Sequence, residues 1–589
     1  MEKIETRKFW ECKFILNCRI KEKGIMQNKN IYDLKSIKLP YLAGGLLRLF
    51  VSLVEGPLGG LLIPSLLQSA GIEWLRYQVL DEAPTHHPIH FTGELAKKDS
   101  AVPETEWPRI ERSVIDSRGF HFTTVLDYAK AYRDGKTNPE EVAQKLLDAI
   151  EASNSSTPPL RAVIAVNRED VIRQASEATH RIKEGKPLSV FDGVPVAVKD
   201  ELDMTPYPTT VGTSFLGKSP AKEDATAVAR MRAAGALLIG KTNMHEIGIN
   251  VTGLNPHHGT TRNPYNTGHF TGGSSSGSAT AVAAGLVPVA IGADGGGSIR
   301  IPASFCGVFG LKSTFGRVSE FGAAPLCWSV AHVGPLAGTA TDTALAYAVM
   351  AGPDLHDPNS LHQPLPTLEN WDAPNLRGLK LGIFKQWFQH ADPEVVAACE
   401  NMVKRFTDIG AEIREIVIPD LELNRIAQTV TIVSEMVQAM SYTYTKHHKE
   451  HGLDVRLNLA LGRAFTAQDY IQAQRARTRI INNFNHVFKE VDMILTPTTA
   501  IAAPPIPKDA LPNGNSDLST TIEIMRFVTA GNMTGLPAIS FPVGYTTDGL
   551  PIGMQAMGRA WQEHLLLRLA VNAEQAIERK QPQVHYKVL

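Results

Sequence analysis

The sequence predicts an α/β protein: a mixed central β-sheet flanked by helices, preceded by an N-terminal helical extension. Three observations carry that expectation. From residue 162 onward, short apolar runs (162–166, 194–198, 236–239) alternate with longer amphipathic ones (169–183, 222–234). This is the rhythm of strands and covering helices around a parallel or mixed sheet. Two glycine–serine clusters, 272–278 and 295–298, bracket an Ala/Val-rich stretch with room for one helix and a returning strand. Ahead of all this, residues 41–75 are unusually apolar but broken by Pro57 and Pro64.

Composition sets the outer limits. A chain of 589 residues, 43% hydrophobic and 20% charged, has ordinary globular proportions and can bury a large core. A formal net charge of −1 argues against a nucleic-acid partner, which needs a basic footprint. Five scattered cysteines (Cys12, Cys18, Cys306, Cys327, Cys399) form no metal-ligand spacing and fit reduced thiols.

Taken in order, residues 1–38 form a basic tail, with ten Lys/Arg against five Asp/Glu, and no secretory signal is expected there. A weak attraction to anionic lipid is the alternative to plain disorder. Residues 39–82 read as an apolar helical segment in which Leu46, Leu49, Phe50 and Leu53 fall on one helical face. The prolines after it argue against a continuous span, which needs about 20 apolar residues. The segment is therefore expected to lie at a membrane interface or to pack as an ordinary helix pair. Residues 83–118 look like an extended connection, and 119–589 like the catalytic domain.

Within that domain, Thr137-Asn138-Pro139-Glu140 is a helix start, with a capping residue before a first-turn proline. Residues 354–376, rich in Pro, His and Asn, are expected to link two lobes. A strand over 379–384, long helices through 477–487 and a strand over 493–496 follow. Thr547-Asp548-Gly549 then turns a hairpin between 538–543 and 552–557. Lys199–Leu202 spells KDEL, an address read only at a C-terminus.

The glycine–serine clusters carry the chemistry. Glycines before a serine can turn several N–H groups toward one point beside a hydroxyl, as an oxyanion hole requires. A flexible linker is disfavoured because each cluster abuts apolar sequence. No phosphate-loop or dinucleotide fingerprint is present, and Ser298 lies in no G-x-S-x-G elbow. A serine hydroxyl needs a base to activate it. No histidine sits in either cluster, and His257 and His258, nearest in sequence, read as surface turn residues.

The two clusters, GGSSSGS and ADGGGSIR, resemble the core of the amidase signature family, whose pattern is Gly-Gly-Ser-Ser followed by Asp-x-Gly-Gly-Ser-Ile-Arg. Ser276 and Gly295 depart from its commonest form. With KTNMHE (241–246), GTTRNP (259–264) and CGVFGLK (306–312), they make the chain similar to the plant fatty acid amide hydrolase branch. The similarity runs from about Leu39 to the end of the sequence.

That resemblance implies a Ser-Ser-Lys arrangement in which Ser298 attacks, Ser274 relays a proton and Lys199 is the base. It implies an oxyanion hole from the N–H groups of Gly295, Gly296, Gly297 and Ser298, a cis peptide at Ser274, and no metal or organic cofactor. It further implies a fatty amide substrate and a homodimer peripherally bound to endoplasmic reticulum or plasma membrane, its site facing the cytosol. Spacing is compatible: Lys199 ends the apolar run 194–198, so a strand would deliver it to the sheet edge where α/β proteins place their sites. The role demands a neutral amine, which burial favours. Asp294 and Arg300 are expected to hold the loop as a buried pair, and Ser275 and Ser276 to cap or brace it. An amidotransferase A-type glutaminase or general small-amide amidase is the enzymatic alternative. A non-catalytic lipid-binding protein on the same fold is the other.

Overall fold

The computed structural model describes residues 32–37, 40–91 and 118–589. Most of the basic tail, and residues 92–117 of the expected connection, lie outside the described residues. The central sheet has eleven strands. In chain order they are β1 (Val163–Ala165), β2 (Pro195–Lys199), β3 (Leu237–Thr242), β4 (Val289–Ala293), β5 (Phe309–Lys312), β6 (Val333–Ala337), β7 (Lys380–Ile383), β8 (Glu412–Glu415), β9 (Met493–Pro497), β10 (Ala538–Tyr545) and β11 (Pro551–Gly558). Across the sheet they run β8-β7-β9-β11-β10-β5-β6-β4-β2-β3-β1.

The sheet is mixed, as expected. β2 pairs in parallel with both β3 and β4, whereas the β10–β11 hairpin is antiparallel to its neighbours. Every residue of β2, β3 and β4 is buried. Strands covered on both faces lose the polar alternation of a half-exposed strand, which is why these read as unbroken apolar runs.

The helices that position the site are α1 (Gly44–Glu55), α2 (Gly59–Ser69), α3 (Ile72–Arg76), α4 (Ser276–Ala283), α5 (Leu421–His447), α6 (Leu453–Gly462), α7 (Ala467–Val487) and α8 (Leu518–Met525). Away from the site, the helix Pro139–Ser155 starts where its sequence signal lies, with Asn138 accepting from the Glu141 N–H. The helix expected over 222–234 begins only at Thr226. Asp224 accepts from the Thr205 N–H at 2.7 Å and pairs with Arg232 at 2.6 Å, which holds the preceding residues as loop.

Residues 354–376 contain one short 3-10 turn, Pro358–Ser360, and are pinned back by Ser319 to Asp354 (2.6 Å) and Arg317 to Gln363 (2.9 Å). They connect two parts of one domain, through which a single sheet runs. Residues 32–37 are fastened to the body, with Tyr32 and Leu34 against the apolar cluster that contains Trp387 and Ile426.

The N-terminal extension is helical, and α1 is apolar on two sides. Leu47, Val51 and Val54 pack on Leu453 and Leu457 of α6, and Glu55 pairs with Arg456. The face read from the sequence points elsewhere: Leu46 and Leu49 are 58% and 57% exposed. Leu61 on α2 is 77% exposed. α1 and α2 meet at 109°, and among the described residues no single helix is long and apolar enough to cross a membrane. α3 anchors the extension through Ile72 and Leu75 in the core and through Arg76 to Asp469 at 2.7 Å.

Candidate active site

β2 delivers Lys199 to the carboxyl edge of the parallel block, between β3 and β4. The side chain is fully buried, and its Nζ donates to Ser274 Oγ at 2.9 Å and to the Ala293 carbonyl at 3.2 Å. Glu201 Oε2 lies 2.6 Å from the same nitrogen, out of line for a hydrogen bond. Two further buried lysines make a useful contrast. Burial pushes Lys241 down to about 8, but it donates to the Leu202 carbonyl and to Thr209, away from both serine clusters. Burial and then the nearby Arg300 charge push Lys312 well below the lysine range, yet it donates to the Leu536 carbonyl at 2.6 Å. Lys199 alone of the three bonds a serine of the clusters.

Ser274 is 2% exposed and sits in the loop leading into α4. The Gly273–Ser274 peptide is cis, as the resemblance implied, and the Ser274 carbonyl accepts from the His245 N–H at 3.2 Å. Its neighbours brace and do not cap. Ser275 Oγ donates to the Ala293 carbonyl at 3.1 Å, and Ser276 Oγ lies 3.2 Å from Thr261 Oγ1. The N-terminal end of α4 makes no side-chain cap bond. Gly277 is required there, because a Cβ would stand 2.3 Å from the Ala162 carbonyl.

The second cluster is shaped by Asp294 and Arg300, both fully buried and paired at 3.0 Å. Asp294 follows β4, and Arg300 opens the short helix Arg300–Phe305. Burial opposes the Asp294 charge. The Arg300 charge and hydrogen bonds outweigh it, with Lys312 and Asn532 adding, and hold the carboxyl far below its usual range. The carboxylate also accepts from the N–H groups of Gly297 (2.6 Å) and Ile299 (3.0 Å). Gly297 takes φ +112°, and a Cβ there would meet Val528 and Ile301. Of the four N–H groups that the resemblance implies, that of Gly297 is thus given to Asp294. The N–H groups of Gly295, Gly296 and Ser298 find no acceptor among the described residues.

The two clusters meet. The Ser275 N–H donates to the Ser298 carbonyl at 3.2 Å, and Gly248 lies beside Ser274 Oγ while lining the same cavity as Ser298. The cavity is bounded by Ile249, Val251, Ile432, Val433, Met436 and Met525, with Gln428 donating to the Gly295 carbonyl at 2.8 Å. Lys199 and Ser274 are thus joined to the cluster whose Ser298 lines an apolar chamber.

His257 and His258 are not the surface turn residues expected. Both are partly buried: His257 approaches the fully buried Glu246 at 3.2 Å, and His258 faces Thr210. A buried carboxylate needs donors, and Glu246 gathers His257, His451 and the Gly452 N–H. Three features escaped the sequence reading. Glu201 had a signal, an acid two residues beyond the strand-end lysine. Gln428 and the buried pair His245–Asp454 (3.0 Å) had none, since their partners lie 133 and 209 residues away.

A buried amine on one serine, with a second serine nearby beside free N–H donors, can remove a proton and hold a developing oxyanion. Comparison with known proteins agrees in kind. The amidase family model matches residues 141–567. A fatty acid amide hydrolase of Oryza sativa subsp. indica is 39% identical over 95% of this chain and 96% of its own. An A-type glutamyl-tRNA(Gln) amidotransferase subunit from Cyanothece sp. is 34% identical over 73% of this chain and 93% of its own. The solved native peptide amidase from Stenotrophomonas maltophilia superposes with a TM-score of 0.68 at 28% identity, covering 79% of this chain and 98% of that one.

The Asp294–Arg300 pair generates a prediction. Asp294→Asn leaves Arg300 buried and uncompensated and is expected to destabilise by roughly 3–5 kcal/mol in denaturant unfolding. The Asp294 carboxyl is depressed in the folded state, so the unfolded chain binds the proton more readily. Its stabilisation is therefore fully present above the ordinary aspartate value of about 4 and lost as pH falls below it. Wild type should converge on the variant in acid; a gap between them that stays constant down to low pH would count against the assignment.

Proposed function

The chain belongs to the amidase signature family and is a serine amidase, and from that premise we propose that it hydrolyses fatty acid amides of the N-acylethanolamine type. The observation that carries the reading is the Lys199–Ser274 bond of 2.9 Å beside the loop whose Ser298 lines an apolar cavity. Its relationship to the rice fatty acid amide hydrolase, over nearly the whole of both chains, supports the acyl class.

In the proposed sequence Lys199 takes the Ser274 proton as Ser274 takes that of Ser298. Ser298 Oγ bonds to the amide carbonyl carbon, whose oxygen turns toward the N–H groups of Gly295, Gly296 and Ser298. The carbon–nitrogen bond then breaks. Ser274 protonates the leaving amine and is reprotonated from Lys199. Water hydrolyses the acyl-Ser298 ester by the same proton route, releasing the fatty acid. Glu201, 2.6 Å from Nζ, is placed to offset the positive charge that Lys199 acquires. Ser298→Ala is expected to abolish turnover and labelling by a fluorophosphonate. Lys199→Ala is expected to lower kcat by at least a hundredfold, since positioned acid–base catalysis contributes about 10²–10⁴. A Lys199→Ala enzyme retaining a tenth of the wild-type rate would remove the lysine from the relay.

Acyl recognition follows from the lining. Each buried methylene contributes about 0.8 kcal/mol, so a dozen supply up to roughly 10 kcal/mol of gross binding. The value of kcat/KM is expected to rise steeply with acyl length at fixed amine and to vary less with the amine at fixed acyl chain. A flat length series, or glutamine as the best substrate, would favour the amidotransferase A-type reading that the Cyanothece relative represents.

Such substrates partition into bilayers, and the exposed leucines of α1 and α2 suit an interfacial docking face. Leu49→Asp with Leu61→Asp is expected to reduce liposome flotation at least tenfold, as each buried leucine contributes about 1.5–3 kcal/mol. Equal flotation of variant and wild type would discard this face as the docking surface.

A further inference from the structure

Residues 32–37 cross the outer side of the cavity. Leu34, Lys35 and Ile37 line it together with Leu421, Asn424 and Ile522, which belong to the first turns of α5 and to α8. The strap closes the gap between those two helices. Its attachments fall on three separate elements. Asp33 Oδ1 accepts from the Glu422 N–H at the start of α5 (3.1 Å). Ser36 Oγ donates to Glu523 (3.1 Å) and accepts from Arg526 (3.0 Å), at the end of α8. His390 takes the rest: Nδ1 is 2.5 Å from the Tyr32 hydroxyl and Nε2 is 3.0 Å from Ser36 Oγ.

The donors and acceptors of this latch resolve to one pattern. The Ser36 proton goes to Glu523, so Ser36 Oγ accepts from His390 Nε2–H. A neutral His390 then has an Nδ1 lone pair, which accepts from the Tyr32 hydroxyl. Burial, followed by the Arg526 charge, lowers the His390 pKa and favours the neutral ring. Every bond is satisfied, yet most lie at half-exposed side chains, so the strap belongs to the low end of local stability.

We infer that residues 32–37 are a releasable outer wall of the acyl cavity, in which Leu34 and Ile37 read the far part of the acyl chain and His390 is the latch. The inference rests on the fatty-acyl reading above. It makes Leu34 and Ile37 specificity residues, and makes His390 a positioning residue that never touches substrate.

The test uses the full chain and alkyl fluorophosphonates of two and of about fourteen carbons, comparing second-order labelling rates. Wild type should label much faster with the long reagent. Leu34→Ala with Ile37→Ala should lower the long-to-short ratio at least fivefold. His390→Ala should lower it also, and should speed tryptic cleavage after Lys35. His390→Gln, whose amide offers one acceptor and one donor, should restore both readouts in part. Variants that keep the wild-type ratio, or slow both reagents equally, would reduce the strap to a structural tether. If wild type itself shows no preference for the long reagent, the fatty-acyl reading fails and the specificity role falls with it. Tryptic cleavage would then decide the latch alone, with an unchanged rate in His390→Ala overturning it.

Discussion

The site depends on a single buried ion pair, Asp294 with Arg300. Neither charge can be stranded away from water, and each fills its remaining hydrogen-bonding capacity from a different part of the chain. Asp294 draws in the Gly297 and Ile299 amides and Asn532. Arg300 reaches the Val528 carbonyl, Gln555 and Asn532. The end of β4, the glycine loop, two short helices and β11 are joined at one point. A buried pair is weak evidence of net stability, but it is strong on geometry. Here it turns the Gly297 amide inward and leaves its neighbours facing the cavity.

The sheet supplies the other half of the geometry. β2 is five residues long and pairs on both sides in parallel, so its last side chain has little freedom. Lys199 is fixed by the Ala293 carbonyl of the adjacent strand as well as by Ser274. Lys199 and the loop that carries Ser298 thus share one anchor, the end of β4.

Much of this was legible in the residues. The apolar run ending in Lys199, the twenty-four positions from Ser274 to Ser298 and the hairpin turn at Asp548-Gly549 each report local geometry, and local geometry is what sequence pattern encodes. The pairing of Asp294 with Arg300 was visible for the same reason: the two lie six residues apart. What stayed hidden depends on distant partners. His257 reads as a surface residue until Glu246 and His451 are folded around it. The Gly297 amide reads as an oxyanion donor until the Asp294 carboxylate takes it. The exposed leucine face of α1 was legible in the helical spacing, whereas the second apolar face, which packs on α6, was not. Burial of Leu47 instead of Leu46 is decided by α6, four hundred residues downstream.

α6 itself has a consequence for how the protein can be altered. One side of this ten-residue helix receives the N-terminal extension, through Leu453, Leu457 and Arg456. Its first turn carries Asp454, which holds the ring of His245, whose own amide supports the Ser274 carbonyl. The extension and Ser274 are thus footings of the same beam. Removing the first eighty residues to obtain a simpler enzyme takes away one footing, and the remaining hydrolase inherits a loosened Ser274 loop. In this molecule the apolar N-terminal segment is also masonry.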